Sequence, residues 1–106
     1  MIVRLDKSNI KEIISNNKGR LLILLFVSEW CPSCASFKLI ADPVWEEYGD
    51  RLCVAIADTD DDGGLSDKFD VEYLPTMFFI KNEKRVETHE NFIGKDLLVE
   101  LINKHI

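Results

Sequence analysis

Three cysteines in 106 residues are too few, and odd in number, to form a disulfide scaffold. Long apolar runs are missing too. The longest, 21–27, falls far short of the ~20 residues a helical span needs, so no membrane partner is expected. Positive charge is in deficit, with Lys+Arg 13 against Asp+Glu 19 and a net charge of -6. Such a surface repels phosphate backbones and anionic lipid, which argues against generic nucleic-acid binding. The start, Met1-Ile2-Val3-Arg4-Leu5-Asp6, meets charge early and has no small-residue cleavage site, so a cytoplasmic location is expected. The mature part of an exported precursor would begin in the same way. There is no glycine-rich dinucleotide fingerprint, so any nucleotide belongs to a partner. Repeats, linkers and low-complexity stretches are absent as well.

The chain does have 46% apolar residues, enough for one globular domain over 1–106 built on a single core. Residues 2–5 predict a short strand. Ser8 is expected to cap a helix whose Ile10, Ile13 and Ile14 recur at helical spacing, ended by Asn16, Asn17 and Gly19. The unbroken apolar run 21–27 predicts a central parallel strand covered on both faces, leading directly into Trp30 and Cys31. Phe37, Ile40, Ala41, Val44, Trp45 and Tyr48 then predict a helix from near Cys31 to Gly49, kinked at Pro43, with Trp45 and Tyr48 in the core.

A second buried strand is expected over 52–57, followed by the acidic turn 58–64 and a short helix through Leu65 and Phe69. Pro75 precedes a strand over 76–80 that turns at Asn82-Glu83-Lys84 into a hairpin partner over 85–90. A final helix after Gly94 should dock through Leu97, Leu98, Leu101 and Ile102. The order βαβαβαββα implies an α/β fold with a mixed central sheet and helices on both faces.

The chemistry concentrates in Trp30-Cys31-Pro32-Ser33-Cys34. If the helix begins there, Cys31 is its N-cap, Pro32 is N1 and lacks an N–H, and Ser33 and Cys34 turn their N–H groups toward the Cys31 sulfur. A thiolate is favoured at such a position, where cysteine pKa values fall to roughly 3.5–7.5. Cys31 is therefore the expected nucleophile. Cys34, one helical turn on, is close enough to resolve a mixed disulfide and leave a Cys31–Cys34 disulfide. A metal site is not expected, because zinc would need two further ligands and neither His89 nor His105 has ligand spacing to the pair.

Together with Leu74-Pro75-Thr76 and the strand order, this motif resembles the thioredoxin family over nearly the whole chain. The resemblance implies the thioredoxin fold and disulfide exchange with no bound cofactor other than the redox-active Cys31–Cys34 pair. It further implies a cis Pro75 beside the cysteines, and a Leu74 backbone that pairs with an extended substrate segment, with Pro75 and Thr76 completing that subsite. Trp30 would be an aromatic lid beside the site, and Asp60 the carboxylate that accepts its indole N–H. Pro32 and Ser33 tune the thiolate. Partners would be disulfide-containing client proteins and an electron donor, either a thioredoxin reductase or glutathione. A monomer is expected.

This sequence also departs from the pattern. The family's buried acid falls on Leu25 and its companion lysine on Ile56, so proton transfer at Cys34 lacks its usual base, and Glu29 or water stands as the substitute. Proline follows the first cysteine directly, as in the C-P-x-C of glutaredoxins and some bacterial oxidases, which leaves the direction of electron flow open. The expected function is reduction of protein disulfides. An oxidase or isomerase, and a non-catalytic client-binding module, remain as alternatives.

Two further signals carry little. Asp58, Asp60, Asp62 and Gly63 match the opening of a calcium loop, but its twelfth position is Phe69 rather than a bidentate glutamate. Cys53 is expected as a small core residue, and His89 and His105 as surface residues.

Overall fold

A computed structural model describes residues 1–106. The elements are β1 (Ile2–Arg4), α1 (Ile10–Ser15), β2 (Leu21–Val27), α2 (Pro32–Tyr48), a 3-10 turn (Gly49–Arg51), β3 (Leu52–Asp58), α3 (Leu65–Lys68), β4 (Thr76–Lys81), β5 (Lys84–Glu90) and α4 (Lys95–His105). The strands form one sheet in the order β1-β3-β2-β4-β5. β1, β3 and β2 are parallel, while β4 and β5 run antiparallel to their neighbours, so the sheet is mixed.

The unbroken apolar run of β2 follows from its central place. Leu21, Ile23 and Leu25 face one core cluster, with Phe37, Val44 and Trp45 of α2 and Leu98 and Ile102 of α4. Leu22, Leu24 and Phe26 face the other, with Ile10 of α1 and Leu65 of α3. A strand with both faces covered cannot alternate apolar with polar.

Several details differ from the sequence expectations. The residue before α1 is Asn9 rather than Ser8, whose hydroxyl instead donates to Asp6 Oδ1 at 2.6 Å. Asn9 itself bonds back to the Asp6 N–H and the Arg4 carbonyl, fixing the entry to the helix. Pro43 does lie inside α2, as expected. Its missing N–H removes only the bond to the Leu39 carbonyl, at a turn where Leu39 and Pro43 both face solvent. Leu97 is exposed rather than docked, because the buried stripe of α4 runs through Leu98 and Ile102. The histidines are not fully at the surface: both are half-buried, and His105 Nε2 lies 3.0 Å from Glu87 Oε1.

The hairpin turn is two residues, Asn82 and Glu83, with φ of 51° and 67°, since Lys84 already pairs with Lys81. Positive φ at both central positions matches the right-handed twist of the flanking strands. On the other side of the sheet, the Asp62 carboxylate accepts the amides of Gly64, Leu65 and Ser66 and anchors the start of α3. Those bonds give the acidic loop a structural use.

Candidate active site

Parallel pairing sets Leu25 beside Ile56 and Val27 beside Asp58, so β2 and β3 end together. The chain leaves β2 through Ser28, Glu29 and Trp30 and enters α2 with Cys31 as N-cap and Pro32 at the first helical position. Proline can stand there because the first turn of a helix has no carbonyl for its N–H to meet. Cys31 takes the role that Ser or Asp plays in other caps: its Sγ accepts the Cys34 N–H at 3.2 Å.

Both cysteines are free thiols and both are buried. Burial opposes ionisation of Cys31. Hydrogen bonds from the Cys34 thiol, the Ser33 hydroxyl and the amides of Cys34 and Ser33 outweigh it, and the Cys31 thiol sits below its ordinary range. Cys34 moves the opposite way. Burial and its hydrogen bond to Cys31 push it up to about 12, with a lesser push from the Cys31 charge and against an opposing hydrogen bond from the Ser28 backbone. Two thiols on one helical turn thus have opposite tendencies, one poised to attack and the other held protonated.

Leu74, the residue before Pro75, reaches Cys31 from across the fold. The Leu74–Pro75 bond is cis and Pro75 is buried. The Leu74 carbonyl lies 3.7 Å from Cys31 Sγ and accepts the Ser33 hydroxyl at 3.0 Å. Ser33 Oγ is also 3.2 Å from Cys31 Sγ, so these three groups form a closed triangle. Thr76 is buried, and its hydroxyl is held by the Tyr73 carbonyl at 2.6 Å.

Trp30 stands beside them, 69% exposed, with its indole N–H on Asp60 Oδ2 at 2.9 Å. Hydrogen bonds thus tie Trp30 to Asp60, and Cys31 to Ser33, Cys34 and Leu74, the residue that Pro75 and Thr76 follow in the chain. Ser28 was missed. It is buried, its Oγ accepts the Trp30 N–H at 3.2 Å and its carbonyl accepts the Cys31 N–H at 3.4 Å, which holds the turn into α2. A small polar residue between a buried strand and a helix cap was the available signal.

Behind the thiols lies a cavity of about 360 Å³, walled by Leu25, Ile56, Phe37 and Trp45 together with Cys34 and Asp58. Leu25 and Ile56, where the family pattern has acid and lysine, make its floor apolar. Glu29 borders the same cavity but is exposed. Cys53 lies elsewhere, buried in the opposite core cluster, where burial raises its thiol.

A family model described as Thioredoxin matches residues 1–104. A curated relative, Thioredoxin 2 of Plasmodium falciparum, is 31% identical over 86% of this chain, which spans 58% of that relative's length. Thioredoxin of Bacillus subtilis is 32% identical, with 76% of this chain and 78% of that one covered. Among solved structures, Fasciola hepatica thioredoxin superposes with a TM-score of 0.89 at 27% identity, covering 100% of both chains.

Proposed function

Since the chain belongs to the thioredoxin family and is a thiol:disulfide oxidoreductase of the disulfide-reductase kind, we propose that Cys31 attacks disulfides of client proteins and Cys34 resolves the product. The family's redox group is its own cysteine pair, with no bound cofactor. The observation that carries this reading is the opposite displacement of the two thiols, Cys31 below its ordinary range and Cys34 up at about 12. In this reading the Cys31 thiolate attacks one client sulfur, the client disulfide breaks, and the other sulfur leaves as a thiolate. Cys34 then loses its proton and attacks Cys31, which forms the Cys31–Cys34 disulfide and frees the second client thiol. Two electrons pass from the protein to the client. A thiol donor, either a thioredoxin reductase or glutathione, returns them.

Leu74, Pro75 and Thr76 are the proposed docking segment for an extended client strand, and Trp30, held by Asp60, flanks it. Support comes from the Leu74 carbonyl, which lies beside the nucleophile where a client amide would approach. Residues 1–106 act as one domain here, because both core clusters share the same strands. No helix is long and apolar enough to cross a membrane. A reducing compartment, the cytoplasm, suits a dithiol that must be kept reduced.

The reduction potential of the pair, equilibrated against a glutathione series, tests the direction of electron flow. A value near -270 mV is expected, whereas about -120 to -180 mV would make the protein an oxidant or isomerase. Cys34→Ser should trap mixed disulfides with clients, and Cys31→Ser should abolish exchange. A protein that still acts on its clients after both changes would be a binding module.

A further inference from the structure

Ser33 Oγ lies between two acceptors, Cys31 Sγ at 3.2 Å and the Leu74 carbonyl at 3.0 Å, but a serine has a single proton to donate. While Cys31 is a thiol, the Leu74 carbonyl accepts from both neighbours, the Ser33 hydroxyl at 3.0 Å and the Cys31 thiol at 3.7 Å. Once Cys31 ionises, the thiolate has nothing to donate and becomes the stronger acceptor, since hydrogen bonds to charged groups are about twice as strong as neutral ones. The hydroxyl then turns to the sulfur. That rotation leaves the Leu74 carbonyl unpaired in a half-buried position, where an unmet acceptor is costly. A client amide N–H arriving in an extended strand would satisfy it.

We propose that Ser33 is a positioning residue whose one proton couples docking of a client strand on Leu74 to ionisation of Cys31. This rests on the reading of Leu74 as the docking segment. The coupling is reciprocal: a backbone amide on Leu74 displaces the Ser33 hydroxyl toward the sulfur and favours the thiolate, and the thiolate in turn opens Leu74 to the strand. A disulfide with no backbone amides cannot take Leu74 and gains nothing from the arrangement. Ser33 thus makes the protein selective for disulfides carried by extended polypeptide.

The charged groups around the nucleophile are shared by every variant in the test. Glu29 follows β2, Lys38 and Asp42 lie on α2 and Asp58 ends β3, all on the cavity that Cys31 borders. Lys38 and Asp42 pair with each other at 2.7 Å, and Asp60 is bonded to Trp30. Glu72 and Tyr73, just before Leu74, are exposed.

The test measures initial reduction rates across pH 5 to 9 for wild type, Ser33→Ala and Ser33→Thr on two substrates: hydroxyethyl disulfide, and a linear peptide containing an internal disulfide. Ser33→Ala should slow the peptide at least about fivefold more than the small disulfide, the low end of coupling between sites. It should also move the acid limb of the peptide profile upward while moving that of the small disulfide less. Ser33→Thr, which keeps the hydroxyl, should restore the difference. Equal slowing of both substrates by Ser33→Ala, no effect on the peptide, or a threonine variant as slow as the alanine would each overturn the coupling. Wild type that reduces neither substrate would instead overturn the reductase reading on which it rests.

Discussion

The three thiols differ in accessibility to reagents as much as in role. With its pKa pushed up to about 12, Cys34 is ionised at pH 7 to only about one part in 10⁵. Cys53 is buried in the α1 and α3 cluster and its thiol is raised by that burial. Cys31 is lowered, and thiolate is the reactive form. Iodoacetamide on the reduced, folded protein at pH 7 should therefore add one label, on Cys31. Mass spectrometry after proteolysis reads the position, and a second label on Cys34 or Cys53 at a similar rate would contradict the assignment. The sign with pH follows from the direction of the shift. Because Cys31 lies below an ordinary thiol, lowering the pH from 9 to 7 should slow its labelling less than that of a model thiol.

At the scale of elements, the end of α2 has a backbone conformation that calls for glycine. Gly49 closes that helix at φ 53° and ψ -127°, a combination that side chains with a Cβ avoid, and a Cβ built there would touch nothing within 4 Å. The cost of Gly49→Ala is then backbone strain alone, about 1–3 kcal/mol. Gly19→Ala, also in open space but without a positive φ, should be close to neutral. Urea unfolding midpoints for the two variants check the contrast, and equal midpoints would remove the strain argument. Gly49 was legible in the sequence because helix stops are local, as was Pro32 after the Cys31 cap, whereas the turn expected at Asn82-Glu83-Lys84 is shorter by Lys84, which already pairs with Lys81. The cap of α1 was less so: Ser8 and Asn9 are both good caps, and bonds from Asn9 to Asp6 and Arg4 decide between them. Leu97 was misjudged because an apolar residue at the margin of a helical stripe has no sequence mark showing whether the sheet covers it. The contact of Ser33 with Leu74 spans 41 positions and depends on the whole sheet, so no local pattern contains it.

For the molecule as a whole, Leu25 and Ile56 set stability against turnover. Leu25 is buried in the main core cluster beside its strand partner Ile56, and both border the cavity that contains Cys34. An acid in place of Leu25 would offer Cys34 a base, yet with Ile56 opposite it would have no cation to meet. Burying that unpaired charge should cost about 3 kcal/mol or more at pH 7. Desolvation would raise the new carboxyl above its unfolded value of about 3.9. The penalty is therefore absent below pH 3.9 and grows as the unfolded chain ionises, until the folded carboxyl titrates as well. Leu25→Asp should thus be much less stable than wild type at pH 7 and recover much of the difference at pH 4.5. In stopped-flow experiments its mixed disulfide should resolve faster than that of wild type, because general-base assistance contributes about 10² or more when the base is in place. Adding Ile56→Lys should return stability at pH 7 by pairing the charge. A single variant with full stability at pH 7, or one that resolves no faster than wild type, would mean that water reaches the cavity floor and that the aliphatic pair does not limit Cys34.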